Sequence, residues 1–440
     1  MMNLILHINS KKYFLVFIIT SILLLSTLPI SYFLDVSHYN WQRFLQIVLL
    51  LFSIKYLKLV EIINYKDRTL LLILFSTTLF SSYFSQNKLT SFLYFTHYLL
   101  LFGLIGFGIF LSKKVRTFLF LLAITNIIVI SISILNMSFY IYHGDSNEIA
   151  SAYLGFSNIR FFNQFQVASI FSIIYFILNN KCKRLFSLFL FFNFILMFLT
   201  SARGAILSVF TVLILMTLTN LKLKTKKVLN ATFKIAFLAI VFYIIFTLYL
   251  DSNELNKLSK ISTSGRLDMW IEILKKINHK SILGYGPGSY FSKDILVSHP
   301  HNSLLQIYHN WGVAAFLTTL LLTLKMLRFF LQKFKEISIL HLSLCGSVGS
   351  LLTYSLFSGV FVMPLPQTLL FIFIGLFLNY AYSFQEKSDI KKRLKVNIFS
   401  SALYVSYLFL VILSLDCSYN HQYGPNFWSK GHVSLSRCNL

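Results

Sequence analysis

Residues 91–138 read SFLYFTHYLLLFGLIGFGIFLSKKVRTFLFLLAITNIIVISISILNMS. Two apolar runs, 91–112 and 117–138, flank the basic break Lys113-Lys114-Val115-Arg116. At about 1.5 Å of helical rise per residue, each run matches the ~30 Å hydrocarbon core of a bilayer. In that medium every backbone amide must find its partner within the chain, which a helix achieves locally. The stretch therefore reads as two membrane-crossing helices joined by a basic turn.

The same pattern recurs from end to end. Only 12% of the 440 residues are charged and 56% are hydrophobic, against a charged share of about 25% in soluble domains. Spans are predicted at 13–33, 41–60, 69–86, 91–112, 117–138, 164–180, 185–200, 202–220, 228–250, 303–324, 337–361, 366–384 and 396–415. The first follows Lys11-Lys12, exceeds the apolar length of a signal peptide and lacks a small-x-small cleavage site, so it reads as a permanent span. The expected fold is all-α, a polytopic transmembrane helical bundle of about 12–13 spans in which residues 1–440 form one transmembrane domain. Two polar segments stand out: a large, partly helical loop at 251–302 and a tail at 416–440.

The net charge of +25 suggests nucleic acid at first sight, but the basic residues fall in short clusters between apolar runs, as orientation signals do. No nucleic-acid partner is expected; membrane lipids are. With Lys11-Lys12 placed in the cytoplasm, 26 Lys and Arg fall inside and 13 outside, together the 39 of the chain. Seven of the 13 lie in the 251–302 loop, and long loops report orientation poorly, so the informative ratio is 26 to 6. The amino terminus is predicted inside and the carboxyl terminus outside. On that map Cys417 and Cys438 share the outer tail, where an oxidising compartment would allow them to pair or to remain two thiols.

All 14 acidic residues fall in connections or at span ends, which disfavours an ion-coupled transporter. The first outer loop holds only Asp35 and His38, a poor start for a metal site, so none is expected. What gathers on the outer side is cationic and imidazole chemistry. Arg203, in Thr200-Ser201-Ala202-Arg203-Gly204, lies outside against the positive-inside trend. It is either a functional residue that pairs with something at the boundary or a snorkelling topology residue. From Ser264 to Ile277, Leu267, Trp270, Ile271, Leu274 and Ile277 recur at helical spacing. Thr263 or Ser264 is the expected N-cap, which places Arg266 in the first turn, where helix N–H groups favour an anion. An amphipathic helix lying flat on the membrane fits the same residues. Gly284-Tyr285-Gly286-Pro287-Gly288 follows as a turn that lets backbone approach a ligand. Ser298-His299-Pro300-His301-Asn302 then runs into the next span, and a histidine there is the best general-base candidate outside the membrane.

In this order the pieces resemble the O-antigen ligase and polymerase superfamily of bacterial membrane glycosyltransferases. The residues that carry the resemblance are Ser201-Ala202-Arg203-Gly204, Gly265-Arg266 with Trp270, the 284–288 turn, and His301-Asn302-Ser303-Leu304-Leu305 with Gly312. The resemblance implies a bundle like those of GT-C-type glycosyltransferases in the bacterial inner membrane. It further implies metal- and cofactor-independent, inverting transfer from an undecaprenyl diphosphate-linked glycan donor to a lipid A–core acceptor. His301, Arg203 and Arg266 match the catalytic positions, with substrate contacts at Arg160, Trp270, Gly286, Gly288 and Asn302. Arg160 reads equally as an interfacial anchor among aromatics. Asn310 departs from the pattern, standing where an acid is common two positions before the glycine. A polymerase using the same donor is the near rival, and a lipid-linked glycan flippase is the rival of another class.

Overall fold

The computed structural model describes residues 11–34, 36–57, 65–143, 153, 155–156, 158–179, 182–219, 223–249, 265–276, 282–292, 297–333, 338–381, 398–414 and 427–429. Cys417, Cys438, Asp35, Thr263 and Ser264 lie outside the described residues, as does most of the 416–440 tail. The chain is all-α and polytopic. In chain order the helices are α1 (Lys11–Leu25), α2 (Ile30–Phe33), α3 (His38–Ser53), α4 (Tyr65–Phe84), α5 (Lys88–Leu111), α6 (Val115–Tyr142), α7 (Ile159–Leu178) and α8 (Lys183–Leu199). They continue with α9 (Arg203–Thr219), α10 (Leu223–Tyr249), α11 (Arg266–Lys275), α12 (Ser303–Lys333), α13 (Ile339–Ser355), α14 (Pro364–Ala381) and α15 (Ile398–Leu413).

Each predicted span overlaps a helix, and among the described residues four stretches are long and apolar enough to cross a membrane outright: Lys88–Tyr142, Ile159–Leu178, Leu229–Tyr249 and Ser303–Phe329. In the first of these, a 3-10 turn at Ser112–Lys114 divides α5 from α6 at the basic break. Two expectations are corrected. The 13–33 run is not one helix: α1 ends at Leu25, and α2 begins only after Pro29, whose ring cannot donate to a continuing ladder. The N-terminus of α11 is set by Gly265 in a left-handed conformation (φ 70) with no side-chain cap, one residue after the expected Ser264.

Two compact units emerge, each drawn from three chain segments: 1–45, 111–261 and 331–354 in the first, 46–110, 262–330 and 355–440 in the second. In the first unit α7 is the core. Every residue from Phe161 to Ile177 is buried, while α7 packs on α6, α8 and α9. Its polar side chains must then find partners inside the unit, and they do. Asn126 and Asn193 exchange amide hydrogen bonds (2.8 and 3.3 Å), Asn126 also donates to Ser169 (2.7 Å), and Gln166 donates to the Asn193 carbonyl (3.1 Å). Asn163 extends this ladder to Gln166 and Thr200, both at 3.0 Å.

In the second unit α5 and α14 cross closely at Gly108 and Gly375. A Cβ on Gly375 would lie 2.1 Å from the Ile105 carbonyl oxygen, so only glycine admits this approach. Polar side chains again form a closed set: His97 bridges Tyr407 and Gln367 (2.9 and 3.0 Å), and Gln46 donates to Gln367 (2.9 Å). Lys325 of α12 pairs with Asp67 of α4, which is largely buried.

Candidate active site

The glycine turn of the second unit is held by main chain. Tyr285 and Gly286 donate their N–H groups to the carbonyls of His309 (2.8 Å) and Asn310 (2.9 Å) on α12. Those carbonyls are available because α12 is interrupted at Gly312 (φ 80, ψ -177). A Cβ at Gly312 would lie 2.1 Å from the Ile282 carbonyl oxygen, and one at Gly284 2.5 Å from the Asn310 oxygen. Turn and helix break are thus mutually fitted. Gly286 (φ 87) also faces α4 and α5: a Cβ there would lie 2.0 Å from Ser85 Oγ and 2.8 Å from Ser91 Oγ. Gly288 is likewise left-handed, at φ 81. The Tyr285 ring stacks on His309 with centroids 4.9 Å apart and planes at 15°. The Asn310 position, where the resemblance expects an acid, holds the turn through its backbone carbonyl, which also accepts from Ser81 Oγ (2.9 Å).

Helix α11 braces the histidine loop. Met269 and Ile273 are buried with Tyr290, and Trp270, Val297, Leu305 and Tyr308 pack around them. This is not the face the spacing suggested. Leu267, Ile271 and Leu274 are exposed, which leaves an apolar stripe on the other side, while Ile277 lies outside the described residues. Trp270 Nε1 donates to the Pro300 carbonyl at 2.9 Å and so ties α11 to the residue before His301. Arg266 opens α11 as expected. Burial pushes the Tyr290 hydroxyl above its ordinary range, and the charge of Glu272 adds to this.

His301 is buried and adopts φ 54, a left-handed backbone unusual for a residue with a side chain. Its successor, Asn302, caps α12: Oδ1 accepts from the N–H groups of Leu304 (3.0 Å) and Leu305 (3.1 Å). The His299 ring lies against that of His301, with centroids 4.2 Å apart.

Arg160 and Arg203 belong to the first unit. Helix α8 ends in a left-handed Ser201 (φ 48), with Ser201 N donating to Phe198 O and Ala202 N to Met197 O, both at 2.9 Å. This Schellman-type closure lets α9 start at once with Arg203, which is exposed. Arg160 is the second residue of α7, where Asn158 Oδ1 caps its N–H at 2.8 Å. The Asn163–Thr200 hydrogen bond links the first turn of α7 to the end of α8, so Arg160 and Arg203 stand at one end of this unit. Arg266, Trp270, Gly286, Gly288, His301 and Asn302 gather in the second unit. Sequence reasoning missed Ser85 and Ser91, which seat the glycine turn, and Gly359, which lies against His299. The serines carry a faint signal as a polar cluster between two spans; Gly359 carries none.

Residues 186–320 match the family model described as O-antigen ligase. That segment contains Arg203, Arg266, Trp270, Gly286, Gly288, His301 and Asn302, whereas Arg160 precedes it. No curated protein and no solved structure matches the chain significantly. Over residues 186–320, about a third of its length, this multi-pass membrane protein is similar to the O-antigen ligase family.

Proposed function

We propose that the protein is an O-antigen ligase, transferring a glycan from undecaprenyl diphosphate to a lipid A–core acceptor on the periplasmic face of the bacterial inner membrane. The observation that carries the reading is the confinement of His301, inside the family segment, to a strained backbone between a braced proline and a capped helix. Such strain persists where the surrounding structure specifies one orientation. In the proposed reaction His301 takes the proton of the acceptor hydroxyl and the acceptor oxygen bonds to the anomeric carbon. The bond from that carbon to the diphosphate oxygen breaks, with inversion. The diphosphate leaves as an anion, held by Arg266 and by Arg203, with Arg160 as a further contact. The N–H groups opening α11 favour the same charge, and Gly286 and Gly288 permit close approach of backbone to substrate. Because the leaving group is already a stabilised anion, the scheme needs neither a general acid nor a cofactor.

Two measurements test this reading. A deletion strain is expected to lose all capped lipopolysaccharide; survival of single-repeat caps would instead indicate a polymerase. Purified His301→Ala is expected to bind carrier-linked glycan yet lose roughly 10²–10⁴-fold in transfer rate, the usual worth of a general base. Wild-type transfer by that variant sinks the catalytic assignment, and a flippase would be little affected by it.

A further inference from the structure

The backbone restraints around His301 leave one question: what fixes its ring. Trp270 Nε1 holds the Pro300 carbonyl on one side and the Asn302 cap holds the chain on the other. The ring itself meets the edge of His299, with centroids 4.2 Å apart and planes at 63°. His299 is 1% exposed, so its own place is narrowly defined. Gly359, on the far side of α13 in the sequence, supplies that place. A Cβ on Gly359 would stand 2.9 Å from His299 Nε2, 3.2 Å from His299 Cδ2 and 3.0 Å from Met363 Cε. Gly359 is not in a left-handed conformation, so space rather than backbone geometry calls for glycine here.

We infer that His299 is a positioning residue for His301, seated in the notch that Gly359 leaves, and that this contact aims the His301 imidazole at the acceptor hydroxyl. The inference rests on the proposed role of His301 as general base. His299 makes no bond to substrate in this scheme; it limits where its neighbour can point. A misplacement of a catalytic group by about 1 Å is worth up to about 10²-fold in rate. The full chain in lipid nanodiscs, with undecaprenyl diphosphate-linked glycan as donor and core-terminated lipopolysaccharide as acceptor, allows kcat and donor KM to be separated.

His299→Ala removes the ring, and Gly359→Ala displaces it without touching either histidine. Each is expected to lower kcat about 10- to 100-fold while donor KM stays within about 2-fold. Rates are referred to the folded fraction, measured by thermal unfolding of each variant, because misfolded protein lowers apparent kcat without moving KM. Because both act through one contact, the double variant is expected to be no slower than His299→Ala alone. Wild-type kcat in both single variants, or losses that multiply in the double variant, would overturn the inference while leaving His301 as base. If His301→Ala itself transfers at the wild-type rate, the base assignment falls, and this inference falls with it.

Discussion

The Asn302 side chain carries two groups of opposite character. Its Oδ1 caps α12, and its Nδ2 remains a donor for the proposed substrate contact. Asn302→Asp keeps the cap acceptor and places a negative charge near the diphosphate. It is expected to retain the melting temperature and to raise donor KM. Asn302→Ala should cost about 1 kcal/mol of stability, the usual loss of an N-cap, seen in thermal unfolding in detergent. An unchanged donor KM in Asn302→Asp would assign the residue to the helix end alone. Gly286 makes a sharper case, since both its left-handed backbone and the nearness of Ser85 exclude a Cβ. Gly286→Ala should cost about 1–3 kcal/mol, and a Ser85→Ala background should recover little of it, because Ser85 Cβ (2.5 Å) and Ser91 Oγ (2.8 Å) still crowd the added Cβ. Arg203, Arg266 and His301 are proposed from residue type and order, because chemistry constrains which side chains can serve. Ser85, Ser91 and Gly359 were not legible in that way, because their parts depend on neighbours far along the chain.

At the scale of elements, the presence of a helix was easier to read than its company. Helix α11 was predicted from an apolar spacing, yet Met269 and Ile273 face inward while Leu267, Ile271 and Leu274 are exposed. Ten residues carry two apolar stripes here, and periodicity alone does not say which of them finds a protein partner. Near a bilayer the remaining stripe has little need of one. Helix α7 shows the reverse: it reads as one more apolar span, but its burial on all sides forces Asn163, Gln166 and Ser169 to pair within the unit. Replacing Asn193 by Leu removes both amide bonds to Asn126 and is expected to destabilise the protein by about 1–2 kcal/mol. The paired replacement of Asn126 and Asn193 by Leu should be milder than the sum of the single changes, because no partner is then stranded. A strictly additive result in thermal unfolding would count against the ladder.

For the whole molecule, the predicted sidedness is open to labelling. Cys182 is exposed and lies in a connection assigned to the cytoplasm, whereas Cys345 is buried. With Cys417 and Cys438 replaced by Ser, a membrane-impermeant maleimide should label Cys182 only after the membrane is opened. In the same background with Cys182 also replaced, Lys276→Cys, at the exposed end of α11, should label in intact cells. The opposite pattern would reverse the topology and move the proposed site away from the periplasm. The spans themselves were determined by the sequence, because in hydrocarbon each helix must satisfy its backbone hydrogen bonds locally, whatever its neighbours. The proposed chemistry was likewise visible as an ordered set of arginines, glycines and a histidine. Only the tertiary structure decided how these residues are held: the glycine turn on the break of α12, the left-handed His301, and His299 over Gly359. Those contacts join residues tens of positions apart, and their distances are set by packing that no local pattern encodes.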